Sequence, residues 1–414
     1  MLKKVLAITL AFMLVATLGG CSGGDDSDDF SYIVVYEDIP ADDSDKDKGT
    51  SSKDKTSSKE DTSSNDDTSS KDDTSSTTQN NDESDDFLTT YKIKGLKEKN
   101  EKLEPEITRY QNGLKKLGKG YDAFSYPKYS GKAAEDELNW LTDYNKKLTA
   151  YCADMRALLI KTGRDSVKNG VSGDISKAYE WATYAFQKSD NLVALTYDDA
   201  PNEDTKDLLD GLKERNVPAV FFLIGKNIKS SNESLIKRMI DEGHIVGNHS
   251  MSHVPLYHAT KSDKTTPLDP ERDVLELSEI LESKFGYNDF LLRVPGLIYA
   301  KSGTGNAPNG KYDAKTLSTN NNLVLVDTNT SFGDADGSKP SSDIYSALVK
   351  QAKPGSIVLM HVKTPSVDAS MKFIDDMEPQ GYTFVTVPEL LMVYNGKIDL
   401  GVAYKSYNTY ATLP

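Results

Sequence analysis

Apolar positions along the chain change rhythm at two points, and each change marks a boundary. From about residue 96 to 188 they recur at helical spacing. Leu138, Leu141, Tyr144, Leu148, Tyr151, Met155 and Leu158 lay one stripe along a helix. Leu103, Ile107, Tyr110, Leu114 and Leu117 form a weaker one, and Ile175, Ala178, Tyr179, Ala182 and Phe186 a third. Pro105 suits the first turn of the second helix. The pattern predicts a small antiparallel helical domain over residues 91–188, with Trp140 and the tyrosines chiefly as core. After Ser189 short β-branched runs alternate with helical segments. The strand candidates are Leu192–Thr196, Ala219–Ile224, His244–Gly247, Phe290–Val294, Leu323–Val326, Ile357–Met360 and Thr383–Val387. Strand–helix alternation argues for a parallel sheet, and seven such units point to a closed α/β barrel over residues 189–397. Residues 398–414 are left as a C-terminal tail.

Upstream of residue 91 neither rhythm appears. The chain opens MLKKVLAITLAFMLVATLGGC: two lysines, an apolar run and a small-residue site ending at Cys21. That pattern is an export signal over residues 1–21. Leu18-Gly19-Gly20-Cys21 resembles a bacterial lipobox, which implies that Cys21 becomes the lipidated first residue of the mature chain. The protein would then be extracytoplasmic and anchored to the cell membrane. Cys152 would be its one remaining cysteine, so no intrachain disulfide is expected. Residues 22–90 read as a tether. Between Thr50 and Ser76 the hexads TSSKDK, TSSKED, TSSNDD and TSSKDD carry no apolar residue, and such a segment is expected to stay disordered and extended. The patch FSYIVVYEDI, Phe30–Ile39, interrupts the acidity and offers a strand for a sheet edge or a partner.

Charge changes the picture by its location. The formal net charge is −15, but residues 22–86 hold 21 acidic residues against six lysines. The remainder is close to neutral, and no basic surface for nucleic acid is expected.

Candidate chemistry gathers at the predicted strand ends. The first strand runs into Asp198-Asp199, the third into His249 and His253, the fourth into Arg293 and Pro295, the fifth into Asp327 and the sixth into His361. Three of the five histidines in the chain occupy such ends. In barrels of this kind chemistry sits where strands end. Two imidazoles at i and i+4 with a carboxylate from another strand make a face for a divalent metal that leaves positions open to water. One aspartate of the pair can be a ligand while its neighbour acts as a base. Two imidazoles and a carboxylate suit Zn²⁺, with Co²⁺, Ni²⁺ or Mn²⁺ as alternatives. His244 and His258 read as ordinary strand-start and loop residues, Ser302–Gly310 as a glycine-rich loop bordering the cleft, and no G-x-S-x-G elbow for a serine esterase is present.

These residues carry a resemblance. The segment from about Asn191 to Tyr394 resembles the polysaccharide deacetylase family, the NodB homology domain of carbohydrate esterase family 4. T-F-D-D-G-P is matched by Thr196-Tyr197-Asp198-Asp199-Ala200-Pro201, H-[ST]-x-x-H by His249-Ser250-Met251-Ser252-His253, and R-x-P by Arg293-Val294-Pro295. The fourth motif resembles Asp327-Thr328-Asn329-Thr330-Ser331-Phe332-Gly333-Asp334-Ala335, and L-x-H is Leu359-Met360-His361. The resemblance implies a distorted (β/α)7 barrel of the NodB type. It implies Asp198 as general base held by Arg293, and Asp199, His249 and His253 as metal ligands. His361 is implied as general acid oriented by Asp327. Tyr197, Pro295 and Leu359 are placed at the substrate, Leu359 lining the acetyl methyl pocket. Ala200, Thr328 and Val362 depart from the family pattern, and a φ > 0 at Ala200 would strain the turn by about 1 kcal/mol. The function implied is metal-dependent removal of N-acetyl groups from a cell-wall or extracellular polysaccharide, peptidoglycan first. An O-acetyl xylan esterase and a catalytically weak glycan-binding envelope module are the alternatives.

Overall fold

The computed structural model describes residues 82–256, 269–297, 299 and 313–413. The export signal with Cys21, the acidic repeats, Phe30–Ile39, His258 and the loop Ser302–Gly310 lie outside the described residues.

The helical segment begins with α1 (Asp82–Glu101), α2 (Glu104–Lys116) and α3 (Ala134–Ser166), followed by the single turns α4 (Ile175–Ala178) and α5 (Ala182–Ala185). Helix α1 starts nine residues before the predicted boundary at 91. Ile93 on this helix is buried. Pro105 sits in the first turn of α2, where its missing N–H is no loss. Of the predicted stripe, Leu141, Tyr144, Leu148 and Met155 are buried on α3, while Leu138, Tyr151 and Leu158 are half-buried at its edge and Cys152 and Leu159 complete the buried face.

All seven predicted strands form: β1 (Asn191–Ala200), β2 (Val220–Leu223), β3 (Ile245–Asn248), β4 (Leu291–Leu292), β5 (Val324–Val326), β6 (Ile357–His361) and β7 (Tyr382–Val385). Between them lie α6 (Thr205–Glu214), α7 (Glu233–Asp241), α8 (Pro270–Phe285), α9 (Ala314–Asn320), α10 (Ser341–Gln351) and α11 (Thr364–Met377), and α12 (Val387–Asn395) follows β7. Local chemistry sets the helix ends. The Asp269 carboxylate accepts from the N–H groups of Glu271 and Arg272, Pro270 opens α8, and Gly286 stops it at φ 62. Strand β1 is the hub, pairing in parallel with β2, β6 and β7, and the sheet continues through β3, β4 and β5.

Residues 398–414 are not a tail. They supply β8 (Ala403–Ser406), parallel to β5, and β9 (Thr409–Ala411), antiparallel to β8. An antiparallel bridge between Ser356 and Ser406, with the Tyr407 N–H donating to the Gly355 carbonyl at 3.2 Å, ties β8 to the start of β6. The C-terminal segment thus closes the seam of the curled sheet. Its strand is short and half polar, so periodicity alone does not mark it.

Alternation along β1 sorts the core. Leu192 and Ala194 point to one side with Val220, Phe222, Val324, Ile357 and Tyr404, while Val193, Leu195 and Tyr197 point to the other with Phe221, Leu209, Met239 and Phe373. The first cluster also contains Leu114, Leu148, Leu159, Trp181 and Phe186. The helical segment therefore shares one continuous core with the sheet instead of standing as a separate domain. Arg164 of α3 forks onto Glu389 of α12, at 2.8 and 3.1 Å, and that carboxylate is wholly buried.

Candidate active site

Thr196 and Asp198 continue the parity of Leu192 and Ala194 toward the C-terminal end of β1. The same sheet face is thus apolar at its base and chemical at its upper end. Asp198 pairs in register with His361 across the parallel β1–β6 ladder, so their Cα atoms lie on neighbouring strands. Strand β3 delivers His249 beside them, its N–H donating to the Leu223 carbonyl at 2.9 Å.

Asp199, His249 and His253 converge: one ligand atom from each lies within 4.8 Å of the other two. His253 Nε2 is 3.3 Å and His249 Nε2 3.8 Å from Asp199 Oδ1. Among the described residues that oxygen is buried without a hydrogen-bond donor. A buried carboxylate oxygen facing two imidazole nitrogens is suited to a cation. The tautomers agree. His249 Nδ1 lies 2.6 Å from the Arg293 carbonyl, which can only accept, so Nδ1 carries the proton and Nε2 keeps its lone pair. Burial, then the neighbouring His249, hold His253 below the ordinary imidazole range, so it is uncharged at neutral pH. One carboxylate oxygen and two imidazole nitrogens fit a divalent metal with open positions.

Arg293, fully buried, joins the two halves of the site. Its NH1 donates to Asp198 Oδ1 at 2.8 Å and to Thr196 Oγ1 at 2.7 Å, Nε to the Val326 carbonyl at 3.2 Å and NH2 to the Asp327 carbonyl at 3.1 Å. The guanidinium lies 4.2 Å over the Phe222 ring. Burial pushes the Asp198 carboxyl up, but Arg293 and then His249 and His361 outweigh it and hold the group below the ordinary carboxylate range. Asp198 Oδ2 remains directed at His249 Nε2, 3.6 Å away.

Two residues are placed differently from the sequence expectation. The partner of His361 is Asp334, not Asp327. Asp334 Oδ1 lies 3.2 Å from His361 Nδ1, and its Oδ2 accepts from the His361 N–H at 2.8 Å and from Ser366 Oγ at 2.7 Å. The Asp327 carboxylate accepts from the Thr328 N–H at 2.6 Å, and its backbone carbonyl accepts from Arg293 NH2 at 3.1 Å. Burial lowers the affinity of His361 for a proton, but the Asp334 hydrogen bond and the Asp198 charge raise it further, leaving the imidazole above its usual range. Tyr197 is likewise not at the substrate. Its side chain points to the outer face of β1 and stacks on Phe221 with ring centres 5.7 Å apart. Leu359, partly buried, shares the inner face with His361, and Pro295 is buried just past Arg293.

The departures from the family pattern are absorbed. Left-handed backbone falls on Asp199, at φ 69, and not on Ala200. The Thr328 hydroxyl donates to the Ile357 carbonyl at 2.8 Å inside the fold, and Val362 is core.

Known proteins are similar to this chain over about half of its length. The polysaccharide deacetylase family profile matches residues 186–324. A peptidoglycan-N-acetylglucosamine deacetylase of Bacillus cereus is 31% identical over 217 residues, 51% of this chain and 93% of the relative. A peptidoglycan-N-acetylmuramic acid deacetylase of Bacillus subtilis is 31% identical over 212 residues, 51% of this chain and 75% of the relative. A chitooligosaccharide deacetylase of Sinorhizobium fredii is 34% identical over 187 residues, 44% of this chain and 78% of the relative. With the motif residues gathered at one end of the sheet and a relative matched over nearly its whole length, the chain belongs to the polysaccharide deacetylase family.

Proposed function

We propose that the protein removes N-acetyl groups from the amino sugars of peptidoglycan, with a divalent metal, zinc first, held by Asp199, His249 and His253. The observation that carries this reading is the juxtaposition of that ligand triad with Asp198 on one strand and His361 in register on the next. The names of the Bacillus relatives support peptidoglycan as the polymer. When bound, the cation supplies a Lewis acid that activates water and polarises the acetyl carbonyl. Asp198, kept ionised and oriented by Arg293, takes the proton of the attacking water. His361, protonated and oriented by Asp334, gives a proton to the departing amine nitrogen, so acetate and a free amino sugar result. Leu359 faces the acetyl methyl group from β6. Asp327 supports Arg293, while Tyr197 belongs to the core. Cys21 carries the lipid that anchors the chain outside the membrane, and the acidic tether that follows it serves to bring the barrel to the wall.

The test is product analysis on purified, zinc-loaded protein with acetylated peptidoglycan, N-acetylglucosamine oligomers and acetylxylan. Acetate and primary amine are expected in equal amounts from the amino-sugar polymers. Acetate from xylan alone would replace this reading with an O-acetyl esterase, and metal binding without acetate from any polymer would leave a glycan-binding module.

A further inference from the structure

The stretch between the two histidine ligands, Ser250-Met251-Ser252, is not helical. Ser250 has φ 64 and His253 φ 57, left-handed values that residues with side chains rarely adopt. A turn of this kind needs outside acceptors to persist. Asn248 supplies one, its Oδ1 accepting from the Ser250 N–H at 2.8 Å. Most of the others come from a single residue on α8. The Asp273 carboxylate accepts from the Ser252 N–H at 3.1 Å and the Ser252 hydroxyl at 2.9 Å, and the Ser250 hydroxyl donates to it as well. Its backbone carbonyl accepts from the Met251 N–H at 2.7 Å. Each of the three residues between the ligands is therefore tied to Asp273. The carboxylate is 4% exposed and forms no ion pair with any described Lys or Arg, so its hydrogen bonds to the turn are what satisfy it.

The two ligands differ in how they are held. His249 is buried and clamped by the Arg293 carbonyl. The His253 imidazole is about one-third exposed and is placed by its backbone, whose N–H donates to Ser250 Oγ at 3.1 Å. Whatever fixes the turn fixes His253.

We infer that Asp273 is a positioning residue for the metal centre, holding the Ser250–Ser252 turn so that His253 faces Asp199 and His249 before the ion arrives. The inference rests on Asp199, His249 and His253 binding a metal. Its test is zinc affinity of the full-length protein, measured by chelator competition, with the visible spectrum of the cobalt-loaded protein as a second readout. Asp273→Ala is expected to weaken zinc binding by about tenfold or more, in the range that partners of metal ligands show, and to alter the cobalt spectrum. Asp273→Asn, which keeps an acceptor for the Ser252 N–H, is expected to recover most of the affinity, and Ser252→Ala to fall between. Wild-type affinity and spectrum in Asp273→Ala would overturn the inference while leaving the metal reading intact. No zinc on the wild type would instead overturn the metal reading. If Asp273→Ala does not fold, unchanged affinity and spectrum in Ser252→Ala overturn the inference in its place.

Discussion

Arg293 shows how few side chains the site needs when each does two things. Its guanidinium fixes the charge and direction of Asp198, and its carbonyl fixes the tautomer of His249. Asp198→Asn leaves the three ligands untouched, so metal content is expected to stay at one ion per chain while turnover drops by about 10² to 10⁴ in an acetate-release assay. The Asp334–His361 pair makes a prediction about pH. The raised imidazole keeps its proton further into the neutral range, and the acid step is lost as pH rises through that value. Asp334→Asn removes the largest raising influence, so the alkaline limb of the rate profile is expected to move to lower pH, and an unmoved limb would take Asp334 out of this role. Which carboxylate serves His361 was not legible from the chain. Asp327 ends a predicted strand and Asp334 lies in the loop beyond it, and spacing does not say which of two acids in one motif reaches an imidazole on another strand. Asp198, Asp199, His249, His253 and His361 were legible, because strand ends are where a barrel exposes functional groups and the histidines are few.

Among the elements, the strands with continuous apolar runs could be read directly, since burial on both faces leaves no polar alternation. The sequence Ala403-Tyr404-Lys405-Ser406 carries no such run, and β8 forms because its neighbours β5 and β6 leave an open seam. The boundary of the helical segment misled for a related reason. A stripe along α3 tells which face is buried, not against what, and that face meets both its own helices and the base of the sheet. The Arg164–Glu389 fork spans this contact. Arg164→Ala leaves the buried Glu389 carboxylate without its partner and is expected to cost about 3 kcal/mol in urea unfolding. Because the core is continuous, helical segment and barrel are expected to unfold in one transition, and two separate transitions would contradict the shared core.

At the scale of the whole molecule, chemistry lies at the upper end of the curled sheet, the helical segment covers the lower end, and an acidic stretch leads from Cys21 to α1. In the proposed arrangement the lipid and tether hold the barrel within reach of the wall. Cys21→Ser is then expected to move the protein from the membrane to the soluble fraction on cell fractionation, and continued membrane retention would require a different anchor. The account as a whole turns on three residues meeting at one cation. X-ray absorption at the zinc edge of the loaded protein tests this most directly by counting the imidazole groups around the ion. Two are expected in the wild type and one in His253→Ala; a zinc shell without imidazole, or one that His253→Ala leaves unchanged, would contradict it.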